Sequence, residues 1–238
     1  MTTPALTSDH VTLIRPPAVP HMMSLAPTYG APPLALACLA GALKEGGYRV
    51  TAIDAIGEAM EQFTRIDRLP FHSHGLTADQ IVDRIPKDTG MIGVSCMFSN
   101  EWIYHRRVIN LVTQRFPNVP VVVGGEHATA SPDYVLRSCP GVIACCLGEG
   151  EDTILDLLDA LRNGRPLNEV GGLMIRGGAD GAFTPRRTKT CWQLSSGAEA
   201  EYRLLRTSSK GRTPSNNRSA YPCETCLGSS GDISARMI

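Results

Sequence analysis

Short apolar runs rich in β-branched residues recur along the first two thirds of this chain, each followed by a stretch with helical periodicity. That alternation restricts the fold more than any other feature. Residues 11–14, 50–53, 91–95, 119–123 and 142–146 are near-continuous apolar runs, the pattern of strands covered on both faces. Between the first two, residues 33–45 read as a helix entered through Pro33 and left at Gly46-Gly47, with Leu36, Leu39, Ala40 and Leu43 as its buried stripe. Residues 77–85 form a second helix capped by Thr77, and residues 100–116 a third with Trp102, Ile109, Val112 and Phe116 on one side. Ser131 is placed to cap a helix that has Pro132 at its first position. A last helix over residues 152–161 carries Ile154, Leu155, Leu158 and Leu161 and stops at Asn163-Gly164. Strand-to-helix alternation of this kind demands right-handed crossovers and a parallel sheet. Residues 10–163 are therefore expected to be α/β: a doubly wound five-stranded parallel sheet, flavodoxin-like (Rossmann-like). Ligands of such sheets bind beyond the carboxyl ends of the strands.

Composition narrows the partners. Twenty-three basic and twenty-three acidic residues cancel, so no long-range field recruits nucleic acid or anionic lipid. The start MTTPALTSDH is no secretion signal, and no apolar run reaches the roughly 18 residues that cross a bilayer. No nucleic acid and no membrane are expected as partners, and the expected location is cytoplasmic. Eight cysteines, several inside strand-like runs (Cys96, Cys145, Cys146), suit reduced core thiols better than a disulfide framework. Residues 55–70 exceed a tight connection and read as an irregular excursion over one edge. Beyond about residue 185, SSGAEAEY, TSSKGRTPSNNRS and LGSSGDIS lack apolar periodicity. The expected division is a domain over 1–185 and an irregular tail over 186–238.

The strand ends carry the chemistry. After the first come Arg15-Pro16-Pro17 and then Tyr29-Gly30-Ala31-Pro32-Pro33, a proline-stiffened loop without the closely spaced glycines of a phosphate or dinucleotide cradle. Nor are there the acids of a phosphoacceptor receiver. The third strand ends in Ser95-Cys96-Met97-Phe98-Ser99, the fourth in Gly124-Gly125 followed by Glu126, His127 and Thr129, and the fifth in Gly148-Glu149-Gly150-Glu151. Three neighbouring strands finishing in small residues let backbone N–H groups reach a ligand that is wide and flat, or long and inserted. Glycine after a strand also serves simply to permit a turn, His127 alone reads as a hydrogen-bonded loop residue, and Glu149 and Glu151 favour a helix N-terminus. A metal hydrolase built on His72, His74, His105 and His127 is disfavoured: the first two fall in a loop, FHSHG, and His105 on the third helix.

VVVGGEHATASP, CLGEGEDTILDLLDAL and GLTADQIVDRIPKDTGMIGVSCMFSNEW resemble the amino-terminal cobalamin-binding domain of cobalamin-dependent radical S-adenosylmethionine enzymes, over roughly residues 10–185. The resemblance implies a corrinoid lying on the strand ends with its nucleotide tail inserted beside the sheet. Gly124 and Gly125 would lie along it, Ser95 would place a hydroxyl near the tail, and Gly148 and Gly150 would keep the fifth edge low. The resemblance also implies cofactor-binding positions at Cys96 and Met97, at Glu126, His127 and Thr129, at Glu149 and Glu151, and at Tyr29 and Pro33 in the loop after the first strand. His127 matches the histidine of the family's GGxHxT. No catalytic residue is assigned.

Other corrinoid proteins use DxHxxG after the first strand to bring a histidine to cobalt. Here His21 is preceded two places earlier by Val19 and followed three later by Ser24, so neither acid nor glycine is present. The expectation is cobalamin bound base-off, without a histidine lower ligand. The family's CxxxCxxC, which holds an iron-sulfur cluster and S-adenosylmethionine in the full-length enzyme, is approached only by Ser219-Ala-Tyr-Pro-Cys223-Glu-Thr-Cys226. Two thiolates do not make that site, and Cys223 and Cys226 read as a weak remnant. This chain is therefore expected not to be catalytic alone. It is either a truncated or frame-disrupted piece of a radical methyltransferase-type enzyme, or a stand-alone corrinoid carrier serving a separate radical barrel. A ligand-sensing or docking domain that has lost cobalamin is the competing expectation.

Overall fold

β-branched residues fill a surface buried on both faces, and the five apolar runs do form five neighbouring parallel strands. A computed structural model of the chain describes residues 5–23 and 31–176, together with the backbone of 182–184. The five runs become β1 (His10–Arg15), β2 (Arg49–Asp54), β5 (Met91–Ser95), β6 (Val121–Gly124) and β7 (Val142–Cys146), in the order β2-β1-β5-β6-β7. Counted as parallel strands alone this is 2-1-3-4-5, the flavodoxin-like order with its switch point between β1 and β5. The sheet is larger than the five strands expected. β8 (Leu173–Ile175) and β9 (Ala182–Thr184) add two antiparallel strands beyond β7, giving seven.

Alternate residues of each strand enter separate cores. Ile14, Ile92, Val94, Val121 and Val123 pack beneath α2 (Ala78–Arg84), α3 (Trp102–Arg115) and α5 (Pro132–Ser138). Val11, Leu13, Met91, Val122 and Ala144 meet α1 (Leu34–Glu45) and α6 (Glu151–Asn163) on the other side. Leu36, Leu43, Leu157, Leu158 and Leu161 on the latter helices are fully buried, each worth about 1.5–3 kcal/mol of transfer free energy. Thr77 caps α2 in a reciprocal box with Gln80, and Gly164 ends α6 in the left-handed conformation (φ 66°).

Three local expectations are corrected. The excursion at 55–70 is ordered: a 3₁₀ turn at Gly57–Ala59 leads into β3 (Phe63–Arg65), which pairs antiparallel with β4 (His72–His74). His72 and His74 are thus strand residues, not loop residues, and bridges Ala18↔His74 and His21↔Phe71 lay the chain after β1 along this hairpin. Residues after Gly125 form a short helix, α4 (Glu126–Ala130), rather than a loop. Pro132 starts α5 as expected, but the Ser131 side chain makes no capping hydrogen bond. Among the described residues no helix is long and apolar enough to cross a membrane.

Candidate functional site

Gly124 and Gly125 end β6 where the chain leaving β5 passes alongside. Gly125 has φ +96°, and a Cβ there would lie 2.5 Å from the Cys96 carbonyl oxygen, so only glycine fits. The Cys96 N–H donates to the Gly124 carbonyl at 2.8 Å, and the His127 N–H donates to the Cys96 carbonyl at 3.1 Å. The two exits are thereby locked together, with Cys96 buried beneath them and its thiol pushed well above its ordinary pKa by desolvation. A third exit joins them: the Gly148 N–H donates to Thr129 Oγ1 at 3.1 Å, tying the end of β7 to α4. Gly148 has φ +71°, and among the described residues a Cβ there would meet nothing within 4 Å.

Around these positions Gly124, Gly125 and Ser95 are half-buried, whereas Met97 (42 % exposed) and Phe98 (59 %) present apolar surface. Glu126 and Glu149 are exposed, and Glu151 opens α6. Gly150 sits against α1, where a Cβ would come 3.0 Å from Leu39 Cδ2. Glu151 lies close enough to Cys38 on α1 to add to the burial that raises that thiol's pKa. Pro33 is buried at the start of α1. Tyr29, Cys223, Cys226 and the tail over 186–238 lie outside the described residues.

The loop between β1 and α1 is fastened at several points. Arg15 donates to the Ala31 carbonyl at 2.6 Å and pairs with Asp54 at 3.4 Å, closing the loop's base. Glu101 Oε1 accepts from the Val19 N–H at 3.2 Å, and His105 Nε2 lies 3.0 Å from the Pro17 carbonyl oxygen. That oxygen can only accept, so Nε2 carries the His105 proton. His105 is kept neutral by burial, which pushes its pKa down to about 4, with nearby His127 acting in the same direction. Glu101, also desolvated, has its pKa raised. His21 is held apart from all this: its Nδ1 accepts from the Met23 N–H at 3.1 Å and its ring meets Phe71 edge-on at 5.3 Å.

His127 is a buried member of α4, 5 % exposed, with Nδ1 2.8 Å from Ser99 Oγ and its ring 4.6 Å from that of Trp102. Burial lowers its pKa. Three buried side-chain atoms here have no hydrogen-bond partner among the described residues: Trp102 Nε1, His105 Nδ1 and His127 Nε2. A buried polar atom left unpaired costs about 1–3 kcal/mol. Sequence reasoning places Trp102 on the buried side of the third helix and His105 only in a disfavoured metal site, and does not single out Glu101; the available signal was Trp102 and His105 at i, i+3 on one face. Among the described residues no group of three or more His, Cys, Asp or Glu is placed to hold a metal ion.

The carboxyl edge of this flavodoxin-like sheet is thus free of bulky side chains at β6 and β7, apolar after β5 and backed by buried polar atoms without partners among the described residues. The family model for the B12 binding domain matches residues 23–158, more than half of the chain. The chain belongs to the B12-binding domain family. It is 32 % identical over 168 residues to an uncharacterized methyltransferase of Pyrococcus horikoshii, covering 70 % of this chain and 32 % of that protein. Cytidylyl-2-hydroxyethylphosphonate methyltransferase of Streptomyces wedmorensis is 31 % identical over 147 residues, 60 % of this chain and 27 % of that one. Among solved structures, the cobalamin-dependent S-adenosylmethionine radical enzyme OxsB with aqua-cobalamin bound superposes with a TM-score of 0.58. That match has 20 % identity and covers 84 % of this chain and 26 % of that one, a likeness of fold. The chain spans about a third or less of the length of these curated relatives.

Proposed function

We propose that this chain binds a corrinoid across the carboxyl ends of β5, β6 and β7, as the cofactor domain of a radical S-adenosylmethionine enzyme of methyltransferase type, in a domain ending near residue 185. The observation that carries this reading is the interlocked, side-chain-poor edge formed by Gly124, Gly125, Thr129 and Gly148. Family membership supports it. The residues fit the group: the glycines leave room for a macrocycle to approach, and Met97 and Phe98 offer it apolar contact. A bound corrinoid supplies a cobalt centre that can carry a methyl group. This chain's part is to hold it and to exclude water from one side. The iron-sulfur cluster and S-adenosylmethionine chemistry belong, in this reading, to the rest of a longer enzyme or to a separate radical barrel, and the chain is not catalytic alone.

The corrinoid is bound base-off and without a histidine ligand. His21, the nearest candidate, spends its Nδ1 lone pair on the Met23 N–H and packs on Phe71, in a loop held by Glu101 and His105. The test is to add hydroxocobalamin to the purified protein, remove unbound corrin by gel filtration and record the corrin absorbance that co-elutes. A stoichiometric spectrum is expected; its absence would favour a sensing or docking domain. Reduction to cobalt(II) and electron paramagnetic resonance then address the ligand: nitrogen superhyperfine splitting would refute the claim that none is present.

A further inference from the structure

Trp102, His105 and His127 are 5 %, 2 % and 5 % exposed, and each keeps one polar atom without a partner among the described residues. They are one cluster. Trp102 and His105 share a face of α3, the Trp102 and His127 rings lie 4.6 Å apart, and His127 is near enough to influence the protonation of His105. Isolated unpaired atoms are scattered through many folds; three on side chains of one cluster call for a shared explanation, and a group supplied from outside the chain is one.

We infer that Trp102 Nε1, His105 Nδ1 and His127 Nε2 form a subsite for one neutral group of the corrinoid that both donates and accepts hydrogen bonds. The inference rests on the corrinoid-binding reading. The polarity follows from the contacts. The indole Nε1–H can only donate. His105 commits its proton to the Pro17 carbonyl, so its Nδ1 can only accept. His127 adapts, because its Nδ1 meets the Ser99 hydroxyl, which takes either role. An anion would face the His105 lone pair and the Glu101 carboxylate, which lies 3.6 Å from His105 Nε2. A cation would face the indole N–H. A carboxamide or hydroxyl satisfies both fixed atoms, and a corrinoid offers each: carboxamides around the macrocycle and hydroxyls on the nucleotide. Ser99 and Tyr134, both exposed, border the cluster, so a group from outside would have to displace them to reach it.

The chain has two tryptophans, so a ¹⁵N-labelled sample shows two indole signals and Trp102→Phe assigns one. Addition of hydroxocobalamin is expected to shift the Trp102 indole signal, to slow its solvent exchange at least tenfold and to move the ring ¹⁵N signals of His105 and His127. Cobinamide, which keeps the carboxamides and lacks the nucleotide, separates the sources: the same shifts assign a macrocycle carboxamide, and shifts with cobalamin alone assign a nucleotide hydroxyl. Trp102→Phe should weaken corrin binding about three- to tenfold. Corrin that co-elutes while the indole and imidazole signals stay put overturns this inference and leaves the binding reading standing, with water as the occupant. No co-eluting corrin overturns both.

Discussion

Histidines at the two ends of the sheet show how differently one side chain is used. At the amino end His10 is satisfied on both sides: Nδ1 lies 3.0 Å from Asp88 Oδ1 and Nε2 2.8 Å from Thr51 Oγ1. Asp88 also accepts from Arg49 at 2.8 Å, and these donors hold its carboxyl below the usual range. Thr12 and Thr89 pair nearby at 2.8 Å. At the carboxyl end His105 and His127 each leave a nitrogen without a partner among the described residues. Equal burial therefore does not mean equal purpose. A closed network holds strands in place; an open one carries a cost that the corrinoid subsite inferred above would relieve.

The sharpest break between the two ends concerns backbone rather than side chain. Gly125→Ala places a Cβ 2.5 Å from the Cys96 carbonyl oxygen at φ +96°, and should cost about 4 kcal/mol in chemical denaturation and abolish corrin binding. Gly148→Ala has the same conformational handicap but meets nothing within 4 Å among the described residues, so about 1 kcal/mol is expected. Equal losses would show that the β5–β6 lock is not what makes this edge rigid.

The next test uses pH. Burial lowers the folded-state pKa of His105 to about 4 from 6.5, so the unfolded chain binds this proton more readily. Its stabilising share is complete above about pH 6.5 and is lost as pH falls toward 4, by about 3 kcal/mol. Glu101, with a raised folded pKa, works the opposite way in the acid range. Stability of the wild type minus that of His105→Phe isolates the histidine, and should rise between pH 4 and 6.5. A flat difference would mean that water reaches the imidazole.

What could be read from the chain was what repeats locally. The five parallel strands were legible because Val121–Val123 and their counterparts are apolar on both faces; Thr77 and Gly164 announced helix ends by their own chemistry. β3, β4 and β8 were not legible, being three residues long and held by partners distant in sequence, Ala18 with His74 and Cys146 with Leu173. α4 was missed because the His127 N–H contact with Cys96, thirty-one residues upstream, helps position it. The glycines of the site could be seen; the Cys96 hydrogen bonds that join β5 to β6 could not. Nothing local says that Glu101 and His105 will reach back to Val19 and Pro17 rather than to solvent.

Side-chain deletions at the two ends complete the comparison. His10→Ala removes a histidine that bonds Asp88 and Thr51 and should cost about 1–2 kcal/mol with corrin binding unchanged. His127→Ala empties a buried site against Trp102 as well as deleting the bond to Ser99, and should cost about 2 kcal/mol while weakening corrin binding severalfold.

The smallest effect lies where the two exits meet. Thr129→Val keeps the shape of α4 but takes from the Gly148 N–H its acceptor at 3.1 Å. Gly148 is exposed, so water replaces the hydroxyl in the unliganded protein and the stability loss stays near 1 kcal/mol or less. A ligand covering this edge removes that water, and the N–H must then find its partner in the ligand or go without. The variant should thus lose more in corrin affinity, read by titrating the absorbance change, than in denaturation midpoint. Equal losses in both would place the ligand away from β7 and confine the site to β5 and β6.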